Sequence, residues 1–295
     1  MSHEPSARNT PPVDSEKTVA TVRDRYGRIA EGTLSGCCGP AATAGCGTAE
    51  DAAARAIGYA EDELATLPEV ANLGLGCGAP VALLDPRPGE TVLDLGSGPG
   101  LDALLAARRV GPTGRVIGVD MTPPMLDRAR AAAAEAGAAQ VEFREGRLEA
   151  LPVADAAVDA VTSNCVINLV PDKSAVFREI ARILRPGGRL VVSDIVLDGP
   201  LPEVVAHDTL AYVGCVSGAV QRSDYFAMIE AAGLGKAEVL SDFDYLAKVG
   251  NALPEELLAK MSEAGVSVAD LAGKVRSITY RAVKPGDTAR ASNRP

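Results

Sequence analysis

The sequence predicts an α/β fold on a mostly parallel sheet, and three observations carry that expectation. Short apolar runs of strand length alternate with longer segments of helical period from Thr91 onward. A glycine-rich turn, Gly96 to Gly100, stands where the first of those strands hands over to a helix. A carboxylate, Asp120, ends the second strand. Strands that alternate with helices are joined by crossovers, and crossovers set neighbouring strands parallel.

Each element follows from its own pattern. Thr91 to Leu95 (TVLDL) reads as a buried strand, and Leu101 to Val110 as the helix after the glycine turn. Arg115 to Asp120 (RVIGVD) is the second strand. Pro123 to Ala136 is a helix with Pro at its start, where the missing N–H costs nothing. Val141 to Arg144 and Val158 to Ser163 are strand-like, and Lys173 to Leu184 has helical period, stopping at Pro186-Gly187-Gly188. Arg189 to Leu197 is a further strand. Beyond Pro200 come helical patterns at Val204 to Val213 and Ser223 to Ala232, then β-like runs Ala237 to Phe243 and Val275 to Val283 around a helical insert. Upstream, Val19, Val22, Tyr26 and Ile29 share one helical face.

The organisation expected is a disordered tail over 1–17, an N-terminal cysteine-bearing extension over 18–80 and a core over 81–200. A modified C-terminal region over 201–285 and a frayed tail over 286–295 complete it.

Composition narrows the function. The 295 residues carry 29 Lys and Arg against 39 Asp and Glu, a formal charge of −10. Such an acidic chain lacks the clustered basic surface that displaces counterions from nucleic acid or docks on anionic lipid. No apolar run reaches the ~18 residues of a membrane span. The N-terminal stretch has no apolar h-region, so no secretory signal is expected and the reducing cytoplasm is the expected compartment. There the six cysteines are reactive, metal-binding or plainly buried, not a disulfide framework.

The turn Asp94-Leu-Gly96-Ser-Gly98-Pro-Gly100 lies where ligands bind an open α/β sheet, at the carboxyl ends of the strands. Free N–H groups at the following helix favour an anion. A dinucleotide fingerprint wants its third glycine three residues after the second, and that position is Leu101. The spacing resembles instead the glycine loop of class I S-adenosylmethionine-dependent methyltransferases, whose Rossmann-like, doubly wound fold it implies. Asp120 then has the place of the carboxylate that accepts hydrogen bonds from the ribose hydroxyls.

Of the six cysteines, Cys37, Cys38 and Cys46 lie in a Gly- and Ala-rich stretch without hydrophobic period, which reads as a mobile loop. Cys77 precedes the first strand, Cys165 ends the fourth and Cys215 follows the fifth. The last three are separated by 88 and 50 residues, so no short zinc-finger spacing exists. Each alone is as well explained as a buried thiol, among the commonest fates of free cysteine.

The runs VLDLGSGPG, RVIGVDMTPPML, SNCVINLVPDK, RPGGRLVVSDIV and YVGCVSGA together resemble bacterial arsenite methyltransferases, from about Tyr26 to about Val239. The resemblance implies methyl transfer from S-adenosylmethionine to trivalent arsenic held by the thiolates of Cys77, Cys165 and Cys215. It also implies a further N-terminal thiol that handles substrate and cycles disulfides. That role falls to the Cys37-Cys38 pair, with Cys46 as the alternative. Arsenite or methylarsenite is the substrate implied, and a thiol reductant, glutathione or a thioredoxin-like protein, the co-substrate. Cofactor contacts carried over are Asp94, Gly96, Ser97, Gly98, Asp120, Met121, Leu148, Glu149 and Asn164. The sequence departs from the family at Ala79, where an Asn is usual, and at Arg147, where an acidic residue is commoner. It also has no cysteine after Cys215.

The chemistry is consistent with that resemblance. Arsenic(III) is soft and thiophilic, and thiolates are natural ligands of soft centres. Three sulfurs leave its lone pair free to take a methyl group, with no general base required. Only His3 and His207 are present, one in the tail and one on a helical stretch, where a structural or solvent-facing role is expected rather than a catalytic one. Two readings compete. One is a methyltransferase of a quinone or other small organic acceptor with incidental cysteines. The other is a non-catalytic metalloid- or zinc-binding protein that keeps a vestigial core.

Overall fold

Near-continuous side-chain burial along the central strands, successive residues pointing to opposite faces, sets the architecture. Val92, Val116, Ala160 and Val191 pack into one apolar layer, and Leu93, Ile117, Val161 and Val192 into another. A strand buried on both faces belongs to a sheet sandwiched between helices. The computed structural model describes residues 15–34, 48–249 and 253–286, and Cys37, Cys38 and Cys46 lie outside them.

Before the sheet come helices α1 (Ser15–Ala30), α2 (Ala49–Ile57), α3 (Glu61–Leu64) and α4 (Pro80–Leu84). The core runs β1 (Thr91–Leu95), α5 (Leu101–Val110), β2 (Arg115–Asp120), α6 (Pro123–Glu135), β3 (Val141–Glu145), β4 (Val158–Asn164), α7 (Lys173–Ile183) and β5 (Leu184–Leu197). Then follow α8 (Glu203–Ala206), α9 (Thr209–Val213), α10 (Arg222–Ala231), β6 (Glu238–Asp244), α11 (Tyr245–Val249), α12 (Glu255–Glu263) and β7 (Val275–Val283).

The seven strands lie in the order β3-β2-β1-β4-β5-β7-β6. The first five are parallel, and β7 runs antiparallel to both β5 and β6. Winding from β1 goes through β2 to β3 on one side and resumes at β4 on the other. The reversal leaves a crevice at the carboxyl ends of β1 and β4. No described helix is long and apolar enough to cross a membrane.

Three boundaries differ from the expectation. Ser15 to Lys17 belong to the first turn of α1 and not to the tail. Glu16 there faces the helix N-terminus and pairs with Arg147 at 3.0 Å, favourable to the helix dipole. α7 ends at Ile183, and Leu184 already has extended dihedral angles, so β5 starts five residues before Arg189. The helical stretch Val204 to Val213 is two helices, because the Asp208 side chain accepts from the N–H groups of Leu210 and Ala211 and starts a new one. His207 accordingly sits between helices, exposed.

Behind the crevice, Phe177 of α7 is wholly buried and meets Tyr225 of α10 edge-on, ring centroids 5.4 Å apart. Phe177→Ala should cost about 3–5 kcal/mol by cavity creation. Urea unfolding should show a lower midpoint with an unchanged slope, and a loss below about 1 kcal/mol would contradict this packing.

Candidate active site

The crevice is a deep cavity with a distinct chemistry at each strand end. The Gly96 and Ser97 N–H groups donate to the Val119 carbonyl at 2.8 and 3.1 Å, which pins the glycine turn to β2. Half-buried Asp120 accepts from the N–H of Gly98 at 3.0 Å and of Thr122 at 2.8 Å. Met121, Leu148 and Glu149 line the same cavity beyond it. The Glu149 carboxylate accepts from Arg147, which also reaches Glu16 of α1. Helix α1 contributes Val19, Val22 and Tyr26 to the wall, with the Tyr26 hydroxyl donating to the Val213 carbonyl at 3.1 Å.

Four carboxylates line this space: Asp94, Asp102, Asp120 and, paired with Arg147, Glu149. Asp94 and Asp102 are buried. Asp94 Oδ2 has no hydrogen-bond partner, and neither does the Ser97 hydroxyl. Burial, then Asp102, then Asp120 push the Asp94 carboxyl well above the usual range. Burial lifts Asp102 to about 6, against the lowering effect of hydrogen bonds from Tyr59 and Asn164. The one cationic side chain in the described lining, Arg147, is spent on Glu16 and Glu149. A cavity with this balance is built for a ligand that brings positive charge.

The three cysteines meet beside it. Cys165 and Cys215 line the cavity, whereas Cys77 is wholly buried directly behind Cys165. Sulfurs of Cys77 and Cys165 and a carboxylate oxygen of Asp194 lie within 4.8 Å of one another. The Cys215 thiol donates to the Cys165 carbonyl at 2.8 Å. Cys165 and Cys215 both adopt left-handed backbone angles, φ 59° and 65°. Such angles are costly for a residue with a Cβ and cluster where side chains must be aimed. Burial raises the Cys77 thiol. A hydrogen bond with Cys215 lowers Cys165, but one with Cys77 and burial outweigh it and leave that thiol well above its usual range. Both are thiols at neutral pH.

Asn164, at the tip of β4, ties the two halves together. Its Oδ1 accepts from the Cys77 N–H at 2.9 Å, and its Nδ2 donates to the Gly78 carbonyl at 2.7 Å and the Tyr59 hydroxyl at 2.9 Å. A Cβ on Gly76 would meet the Asn164 amide at 2.8 Å, and one on Gly78 would meet Ser193 Cβ at 2.6 Å. The Gly-Cys-Gly segment therefore lies flat against the sheet edge, and the Ser277 hydroxyl donates to the Cys77 carbonyl at 2.6 Å.

Sequence reasoning missed Tyr59, Asp102, Lys173 and Asp194. Asp194 is fully buried in β5 and accepts from Asn168 at 2.8 Å and Tyr225 at 2.9 Å. Burial raises its carboxyl to about 7, and burial lowers the Lys173 ammonium to about 8. A charge inside the apolar strand LVVSDIVL was the signal available for Asp194. Tyr59, a single residue after a helix C-cap, offered none.

The fold and cavity define a class I S-adenosylmethionine-dependent methyltransferase. A family model described as a methyltransferase domain matches residues 86–233. An arsenite methyltransferase of Halobacterium salinarum is 47% identical over 233 residues, covering 77% of this chain and 59% of that protein. The human arsenite methyltransferase is 36% identical, covering 56% of this chain and 46% of its own length. The crystal structure of an arsenic(III) S-adenosylmethionine methyltransferase from Chlamydomonas reinhardtii superposes with a TM-score of 0.59 at 33% identity, covering 78% of this chain and 72% of that one. By these comparisons the chain belongs to the arsenite methyltransferase family. It spans between half and three fifths of the length of the first curated relatives it matches.

Two measurements follow from the geometry. Folded Asp102 and Asp194 hold their protons more tightly than the unfolded chain does. Their contribution to stability is fully present below about pH 4 and is lost as pH rises through about 6 and about 7. The urea midpoint of the ligand-free protein should fall between about pH 4.5 and 7.5, and Asp102→Asn should flatten the earlier part; a midpoint that rises across this window contradicts the assignment. Gly78→Ala should lift the Cys77 segment off Ser193. Mass-mapped alkylation should then find Cys77 modified under native conditions, where the parent protein protects it; continued protection would count against the close approach.

Proposed function

We propose that this chain transfers methyl groups from S-adenosylmethionine to trivalent arsenic held by Cys77, Cys165 and Cys215. The observation that carries the reading is that Cys165 and Cys215 line the cavity that also holds the glycine turn and Asp120, with the Cys77 sulfur within 4.8 Å of the Cys165 sulfur and the Cys215 thiol on the Cys165 carbonyl.

The cofactor fits the residues present. Asp120 would accept from its ribose hydroxyls, the Gly96–Ser97–Gly98 turn would approach its backbone closely, and Met121, Leu148 and Glu149 would bracket the adenine. The unpartnered Asp94 Oδ2 suits a cationic ligand. Asn164 acts chiefly by holding Cys77, since its amide is occupied within the protein. Bound there, S-adenosylmethionine supplies an electrophilic sulfonium methyl group, which leaves neutral S-adenosylhomocysteine when the arsenic lone pair takes it.

The thiols do the rest. As each As–S bond forms from arsenite, the thiol proton leaves with the displaced hydroxide as water, so no base is consumed. Buried, neutral thiols suit that exchange, and three sulfurs direct the arsenic lone pair outward. Holding donor and acceptor in line accounts for most of the barrier lowering. Methyl transfer takes arsenic from the trivalent to the pentavalent state, so turnover needs a thiol co-substrate of the glutathione or thioredoxin type. The Cys37-Cys38 pair, or Cys46, is proposed to relay these electrons as a transient disulfide. A reducing cytoplasm is the compartment that suits such chemistry.

Incubating the full chain with arsenite, labelled S-adenosylmethionine and glutathione, then speciating the arsenic, tests the reading. Methylated arsenicals are expected. Cys165→Ser and Cys215→Ser should each lower their formation at least a hundredfold while leaving cofactor affinity within about twofold. Wild-type turnover in either variant would refute three-thiolate binding.

A further inference from the structure

We propose that Asp102 receives the α-ammonium of the cofactor's amino-acid tail and, through Tyr59 and Asn164, passes cofactor occupancy on to the backbone of Cys77. The inference rests on the cofactor reading above and adds a binding residue and a coupling to it.

Sheet order locates the tail. Asp120, the ribose acceptor, ends β2, and the thiols stand beyond β4, so a cofactor whose methyl group faces them crosses the end of β1 between. Two buried carboxylates occupy that crossing, Asp94 at the end of β1 and Asp102 in the first turn of α5. Asp94 Oδ2 has no partner, and Asp102 accepts only from the neutral donors Tyr59, at 2.8 Å, and Asn164, at 3.4 Å. No cation of the described lining is left for them, since Arg147 is engaged elsewhere. A zwitterionic tail laid over this pair must turn its ammonium toward the carboxylates and its own carboxylate away. Hydrogen bonds to charged groups in such surroundings are among the stronger single contacts.

The same donors reach the arsenic side. Tyr59 Oη donates to Asp102 and accepts from Asn164 Nδ2, while Asn164 holds the Cys77 N–H and the Gly78 carbonyl. An ammonium that fixes Asp102 therefore fixes the Asn164 amide, and with it the position of Cys77. Each ligand should tighten the other, as linkage requires.

Two nucleosides separate the elements: S-adenosylhomocysteine, which has the ammonium and no sulfonium, and 5′-methylthioadenosine, which lacks the whole amino-acid tail. Calorimetry on the full chain should show Asp102→Asn binding S-adenosylhomocysteine about 10–100-fold more weakly, with 5′-methylthioadenosine within about twofold of the parent. In the parent protein, S-adenosylhomocysteine should tighten arsenite binding about fivefold or more, and 5′-methylthioadenosine should not. That enhancement should vanish in Asp102→Asn. Retained methylthioadenosine binding also certifies that the variant is folded; if it is not, Asp102→Ser must give the same split. Equal weakening of both nucleosides, or an undiminished affinity for S-adenosylhomocysteine, overturns the assignment of Asp102. Failure of the parent protein to bind either nucleoside would instead overturn the cofactor reading itself.

Discussion

The Asn164 side-chain amide is the joint on which the site depends. It ends β4, and so its place is set by the parallel register with β1 and β5. From there it grips the Cys77 N–H, the Gly78 carbonyl and the Tyr59 hydroxyl at once. Each of these groups is withdrawn from water, so an unmade bond would cost more than a made one contributes. Cys77 is thereby held next to Cys165 although 87 residues separate Asn164 from it in the chain. The flat seat of the Gly76–Cys77–Gly78 segment exists because a side chain at either glycine would collide with Asn164 or Ser193.

Around this joint the cavity separates two kinds of chemistry. Over β1 and β2 it is rich in carboxylates and starved of cations, the surroundings that a positively charged nucleoside derivative seeks. Over β4 and β5 the wall includes Cys165 and Cys215, both with left-handed backbone angles, and the Cys215 thiol donates to the Cys165 carbonyl. Beneath the thiols, Asp194 and Lys173 form a buried polar layer tied to Tyr225 and Asn168. Asn168 Oδ1 is left without a partner there, and the hydrogen bonds that are made hold the layer in one arrangement.

The sheet was legible from the sequence because its signals are local. Strand limits at Thr91–Leu95 and Arg115–Asp120 came from short, mostly apolar runs, and the helix beginning at Pro123 from its proline. The β5 start was misread because Leu184 to Arg189 carries a Pro-Gly-Gly run that signals a break, while the backbone there nonetheless resumes pairing with β4 at Leu184. At the site, the glycine turn, Asp120 and the thiol positions were visible as residue types at strand ends. Their hidden partners were not. Tyr59 and Asp102 acquire meaning only when residues 43 positions apart are folded together. Cys77, implied by the resemblance as an arsenic ligand, is wholly buried and, unlike Cys165 and Cys215, does not line the cavity.

In the proposed site, three thiols converge on one arsenic atom. X-ray absorption at the arsenic edge, on the protein loaded with arsenite and S-adenosylhomocysteine, reads the coordination shell directly. Three sulfur neighbours and no oxygen are expected, falling to two sulfurs in Cys77→Ser. A parent shell that retains oxygen, or a shell that Cys77→Ser leaves unchanged, would contradict this convergence.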